Sequence, residues 1–465
     1  MFRSVEIPLW LLILILLFAA VTFLSHFLFP SVRWFFRRRM ERAVAELNKR
    51  LERPIQPFKL ARRHDTIQRL IYDREVLAAV TEHAAEEGIP ENVAMERARR
   101  YAREIVPSFS AAVYYRFATR AARWLSRKLY DVRVDKRSRA ALERVDPDAT
   151  VIFVMNHRSN MDYVLITYLV AENSALSYAV GEWARVWPLS WLIKSMGAYF
   201  IRRKSRNALY RRVLARYVQM ATEAGVTQAF FPEGGLSLDG RIGPPKLGLL
   251  SYVLADFDPE QGRDVVFVPV ALNYDRVIED RVLTEAAALG QRRFRASIAQ
   301  SLWFPIRYAW RRWRGRAVRF GQVGVRFGAP MSMRRYMQAH PGARVDAVGR
   351  ELRARVRAVL PVLCVPLVAY VVSRAGGTIS RKDLTSQTAM LLAQLPNPLM
   401  DRDADAVVST GLAGLCSRRI LRESGEFVLS VAENTALLDY YANSVACVFD
   451  RSDVLASSHA ESSET

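Results

Sequence analysis

VIFVMNHRSNMD, residues 151–162, joins an apolar, β-prone run to a polar turn carrying an imidazole and a carboxylate. Val151 to Asn156 has the composition of a buried strand, and the change of character at His157 marks its end. His157 and Asp162 are five residues apart. On one helix that separation turns through roughly 500° and leaves the side chains about 140° apart, so they meet only across a non-helical turn. A turn at a strand end supplies that geometry. A carboxylate within hydrogen-bond reach of one ring nitrogen fixes the tautomer and raises the basicity of the other, which is what a general base needs. With six histidines in the chain, a chance His-x4-Asp has a probability on the order of a quarter, so the pair gains its weight from its position and its company.

Outward from this stretch, residues 129 to about 330 alternate short apolar strands with helical segments. Candidate strands are Tyr130 to Val134, Thr150 to Met155, Ala175 to Val180, Tyr199 to Ile201, Gln228 to Phe231, Val265 to Val270 and Val323 to Phe327. The alternation predicts an α/β domain with a mostly parallel or mixed sheet, whose sites form at loops leaving the strands' carboxyl ends. Three further blocks fall at or beside such strands: GAYFIRR (197–203), FPEGGLS (231–237) and VPVALNY (268–274). The adjacent guanidinium groups of Arg202 and Arg203 suit bidentate capture of a phosphate, although a charge run of this kind also serves as an ordinary solvated face. Glu233 can fix a substrate hydroxyl or a neighbouring arginine, and Gly234 and Gly235 allow close backbone approach. Pro269, inside a strand, is either purely structural or lines a substrate path.

The flanks are helical. Residues 33–128 carry charged positions every third or fourth residue, and 331–455 read as helices around a buried apolar run, VLPVLCVPLVAYVV, too short and too proline-broken for a membrane span. Residues 456–465 lack periodicity and read as a disordered tail. Pro8 to Pro30 carries no charge and is 23 residues long, enough to cross a bilayer, so residues 1–32 are expected to form an uncleaved transmembrane anchor. Arg33, Arg37, Arg38, Arg39 and Arg42 follow it, which places the remainder on the cytoplasmic side of the inner membrane. Tyr101 to Leu129 carries an aromatic and basic face that suits either headgroups or packing as an ordinary amphipathic helix. The aromatics interleaved with arginines in Ser301 to Phe320 suit a lipid surface better than stacked single-stranded bases or a solvated helix face.

At 465 residues and 51% hydrophobic, the chain can bury a large core, and general disorder is excluded. Its net charge of +22 calls for polyanionic partners. With an anchor in place, anionic membrane lipids and phosphorylated substrates fit this charge better than nucleic acid. Three cysteines without metal-ligand spacing indicate neither a disulfide framework nor a zinc site.

The four blocks, in this order and spacing, resemble the bacterial membrane-bound glycerol-3-phosphate acyltransferases of the wider glycerolipid acyltransferase superfamily. LYRRVLARY (209–217), EAAALGQRRFRAS (285–297) and YYAN (440–443) extend the resemblance from about Leu129 to Val448. It implies transfer of an acyl group from acyl-CoA or acyl carrier protein to glycerol 3-phosphate, with no metal and no cofactor. His157 is then the base and Asp162 its orienting partner, the hydroxyl attacks the thioester directly, and the block containing Arg202 and Arg203 holds the glycerol phosphate. The family's EGGRSRTGR stands here as EGGLSLDGR, so two expected arginines are Leu236 and Leu238, while Arg241 and Lys246 match its later basic positions. The residue three after the histidine, usually His, is Asn160. These departures leave open acylation of lysophosphatidate or another lipid hydroxyl by the same machinery. A non-catalytic basic protein that binds membrane or nucleic acid is the reading from a different class.

Overall fold

The computed structural model describes residues 8–450 apart from 136–144, 172–173, 182–186, 188, 203–204, 206, 291–318, 397 and 401; the side chains of 20–37 and 40 are also outside the description. Arg203, most of the Ser301 to Phe320 stretch and the tail from Ala456 therefore lie outside the described residues. Met1–Pro54 and Ile55–Thr465 are two compact units.

The first unit holds one helix, Leu9–Asn48. Among the described residues no helix is long and apolar enough to cross a membrane, so the span expected over Pro8 to Pro30 is not supported there.

The second unit is built on a mixed sheet. Its strands are β1 (Asp131–Val134), β2 (Thr150–Met155), β3 (Ser177–Gly181), β4 (Tyr199–Ile201), β5 (Gln228–Phe230), β6 (Val265–Tyr274), β7 (Gln322–Phe327) and β8 (Met331–Ser332). The order is β1-β7-β6-β2-β5-β3-β4, with β8 also paired to β6. β6, β2, β5, β3 and β4 run parallel, whereas β7 and β8 oppose β6. β2 lies at the centre with every residue buried, Ile152 paired to both Phe267 and Gln228. Such a strand must be apolar on both faces, as its sequence is. Val151, Phe153 and Met155 enter one core with the helix Met161–Val170 and the C-terminal helices. Ile152 and Val154 enter a second core with helices from residues 63–105 and the helix Ala208–Glu223.

The C-terminal region, expected to be helical, also contains a small antiparallel sheet of β9 (Thr378–Ser380), β10 (Leu421–Ser424) and β11 (Phe427–Ser430). Gly425, at φ +60°, lets a two-residue turn join β10 to β11. Short strands with one exposed face carry little apolar periodicity, which is why a helical reading prevailed. The apolar run is buried as expected: its last nine residues, 364–372, are all buried and form most of the helix Cys364–Arg374.

Candidate active site

β2 ends at Met155, and the side chain of Asn156 takes over its ladder. Asn156 Nδ2 donates to the Leu272 carbonyl at 2.9 Å and its Oδ1 accepts from the Leu272 N–H at 2.8 Å. The backbone is thereby released into the turn 157–160, which the first residues of the helix Met161–Val170 close.

Asp162 sits in the first turn of that helix, where the unpaired N–H groups and the helix dipole favour a carboxylate. Its Oδ2 lies 2.9 Å from His157 Nδ1 and accepts the backbone N–H of Arg158 at 2.7 Å and of Ser159 at 3.0 Å. The Tyr274 hydroxyl, at the end of β6, donates to Oδ1 at 2.5 Å. Burial, and then the neighbouring Asp162 charge, push that hydroxyl well above its ordinary pKa, so it stays a donor. A carboxylate surrounded by donors is an acceptor only. His157 therefore carries its proton on Nδ1, leaving Nε2 as the basic nitrogen. The imidazole is 2% exposed and stacks on Phe231, the ring centroids 3.9 Å apart.

Glu233, three residues past the end of β5, holds the other side of the turn. Its Oε1 accepts the His157 N–H at 2.9 Å and its Oε2 the Gly243 N–H at 3.0 Å. Burial raises its pKa to about 7, opposed by those two N–H groups. The Ser237 N–H donates to the His157 carbonyl at 2.9 Å, so the glycine loop is hydrogen-bonded directly to the turn. Gly234 adopts φ +64°, and a Cβ there would come 2.8 Å from the Lys246 side chain, which lies across it. Leu236 and Leu238 pack against the hydrophobic core. The structure thus gathers His157, Asp162, Glu233, Gly234, Gly235 and Lys246 around one turn, with exposed Arg241 on the same loop.

Arg202 and Pro269 are placed differently. Arg202 forms a bidentate pair with Glu104 at 2.9 and 2.6 Å and lies over the rings of Tyr101 and Tyr210. Those partners belong to the helices covering the other face of the sheet, and the structure does not bring Arg202 to His157. Pro269 is buried in β6, its ring against Gly328 and its carbonyl accepting the Gly328 N–H. The N–H it lacks points toward the break between β7 and β8, where no ladder bond is lost.

Three supporting residues have no signal in the sequence. Arg158 reads as one more surface arginine, yet it is 2% exposed, donates to the Gly240 carbonyl and to Asn273 Oδ1, and lies 5.2 Å from the Tyr440 ring centroid. Glu279, raised in pKa by burial, accepts from Ser159 Oγ at 2.7 Å and from both the backbone and side-chain amides of Asn160. Tyr274 ends a block whose alternation speaks only of a strand. Among the described residues no group of three or more His, Cys, Asp or Glu is placed to hold a metal ion.

Two family descriptions match the chain: acyltransferase over residues 121–273, and glycerol-3-phosphate acyltransferase C-terminal region over residues 310–462. Between them they cover more than half of it. A glycerol-3-phosphate acyltransferase of Pseudomonas paraeruginosa is 30% identical over 86% of this chain and 50% of its own length. One from Pseudomonas putida is 31% identical over 63% of this chain and 35% of its own. The chain spans about half the length, or less, of the curated relatives it matches. A crystal structure of a 1-acyl-sn-glycerophosphate acyltransferase from Thermotoga maritima is 20% identical, covering 60% of this chain and 95% of that one, with a TM-score of 0.30.

Proposed function

Since the chain belongs to the glycerol-3-phosphate acyltransferase family, we propose that it transfers an acyl group from an acyl thioester to the sn-1 hydroxyl of glycerol 3-phosphate, giving 1-acylglycerol 3-phosphate for phospholipid synthesis. The observation that carries this reading is the buried His157–Asp162 pair, 2.9 Å apart with the tautomer fixed. His157 Nε2 takes the hydroxyl proton as the alcohol oxygen attacks the thioester carbonyl. The carbon–sulfur bond then breaks, and the proton passes to the departing thiolate. Asp162 stabilises the transient imidazolium.

Lys246 across Gly234, together with Arg241, supplies cationic groups on the glycine loop for the acceptor's phosphate, and Arg202 and Arg203 are assigned to the same substrate on the strength of their block. Pro269 belongs to the acyl-donor side, with acyl-CoA or acyl carrier protein as donor. Residues 129–330 form the catalytic part and 331–455 its C-terminal support. The apolar stretch from Pro8 and the basic residues after it hold the protein at the cytoplasmic face of the inner membrane against anionic lipids.

Lysophosphatidate is the second acceptor to test, because Leu236 and Leu238 face the core where the family carries arginines. Radiolabelled glycerol 3-phosphate and lysophosphatidate are offered in parallel to membranes carrying wild type or His157→Ala. Incorporation from glycerol 3-phosphate that falls at least about 10²-fold in the variant supports the proposal. Wild-type turnover of lysophosphatidate alone reassigns the acceptor, and undiminished activity in the variant removes the mechanism.

A further inference from the structure

YYAN, residues 440–443, lies in the last helix, Thr435–Phe449, far along the chain from the catalytic turn. Its side chains and backbone nonetheless end on the acyltransferase loops. Asn443 Nδ2 donates to the Asp239 carbonyl at 3.0 Å, and Asn443 Oδ1 accepts from Arg241 Nη2 at 3.2 Å. Gly240, between those two residues, has φ +91°, and a Cβ on it would stand 2.0 Å from the Tyr440 carbonyl oxygen. The Tyr440 ring faces the Arg158 guanidinium, which itself donates to the Gly240 carbonyl. Among the described residues the Tyr440 hydroxyl has no hydrogen-bond partner, and the contact this side chain makes with Arg158 is through its ring. At its other end the loop is bonded to His157 through Ser237. Segment 237–241 is thus held between the catalytic turn and the last helix, with Arg158 touching both.

We propose that Tyr440 and Asn443 are positioning residues: the last helix sets where the outer arm of the glycine loop, and with it the Arg241 charge, stands relative to His157, so the C-terminal region governs recognition of the anionic acceptor. The inference rests on the acyl-transfer reading for its substrate, and on geometry alone for the clamp. Asn443 is half-buried and makes two hydrogen bonds, so its truncation loosens the loop without opening the core.

The test compares full-length wild type, Asn443→Ala, Tyr440→Leu and Tyr440→Phe by kinetics with glycerol 3-phosphate and by hydrogen exchange of the amides of 237–241. In Asn443→Ala and Tyr440→Leu the KM for glycerol 3-phosphate should rise about 5- to 30-fold, from the loss of one or two hydrogen bonds or the ring contact, with kcat within about twofold. Exchange in the loop should speed up by about tenfold or more in both. Tyr440→Phe, which keeps the ring against Arg158, should restore both readouts. Unchanged KM with unchanged exchange overturns the proposal, as does a fall in kcat that merely follows the folded fraction. If the wild type does not acylate glycerol 3-phosphate, the substrate reading fails by itself, and the exchange contrast among the variants still decides the clamp.

Discussion

Replacing Asp162 by asparagine removes a charge while leaving the shape of the turn. The amide oxygen can take the place of Oδ2 and keep its three acceptances, from His157 Nδ1 and from the N–H groups of Arg158 and Ser159. The new NH2 then faces the Tyr274 oxygen, and that hydroxyl can rotate to accept. The fold should lose only about 1 kcal/mol. Catalysis should lose far more, because the imidazolium formed on His157 no longer meets a negative charge. Two unit charges about 4 Å apart at an effective dielectric of about 20 interact by about 4 kcal/mol, or about 10³ in rate. Initial rates with glycerol 3-phosphate should therefore show kcat down about 10³-fold with KM little changed, while the circular-dichroism melt stays close to wild type. Asp162→Ala is the wrong variant for this purpose: it takes the acceptor from the His157 Nδ1–H, the Arg158 and Ser159 backbone N–H groups and the Tyr274 hydroxyl, at about 1–3 kcal/mol for each buried donor left unsatisfied, and confounds folding with chemistry. A folded Asp162→Asn that keeps more than about a tenth of the wild-type kcat would refute the assignment of Asp162 as the group that charges the base.

Glu233 gives a pH signature. Its carboxyl is raised from 4.5 to about 7 by burial, so between these values the folded chain binds the proton more tightly than the unfolded one, and stability falls as pH rises, by about 3 kcal/mol in all. Urea unfolding at pH 5 and pH 7.5 should show about 2 kcal/mol of that difference, and Glu233→Gln should reduce the pH dependence by that amount while leaving the contributions of the likewise raised Asp275 and Glu279; the same pH dependence in both proteins would disprove the linkage. Gly240→Ala forces a methyl onto the Tyr440 carbonyl at an unfavourable φ and should cost at least about 3 kcal/mol, so a melting temperature near wild type would show that the loop does not sit as described. Arg202→Ala should raise the KM for glycerol 3-phosphate about tenfold if the phosphate role holds. A lower melting temperature at constant KM would instead assign Arg202 wholly to Glu104.

What the sequence disclosed depended on how local the governing physics was. The strands from Thr150 to Met155 and Tyr199 to Ile201 appear where their apolar runs begin and end, because burial on both faces leaves no other pattern. The His157–Asp162 contact was readable because five residues and a turn suffice to make it. Arg158 and Glu279 were not, since their burial depends on Gly240, Asn273, Tyr440, Ser159 and Asn160, partners that come together only in the folded chain. Arg202 shows the converse: an adjacent pair of arginines suggested a phosphate, and nothing local announced that Glu104, 98 residues earlier, would take one of them. β10 and β11 escaped notice because Gly425-Glu426 is a weak hairpin signal and three of the four β10 residues face solvent.

The substitution of a carboxamide for main chain at residue 156 has a consequence for how this protein tolerates change. A strand normally stops where its backbone groups find no partner, and the stopping point drifts as neighbouring residues vary. Here one asparagine supplies both the donor and the acceptor that Leu272 requires, so the point of departure from the sheet is written in a single codon. Residues downstream can vary without moving the imidazole along β6, whereas aspartate at 156, which offers no donor, would unmoor it.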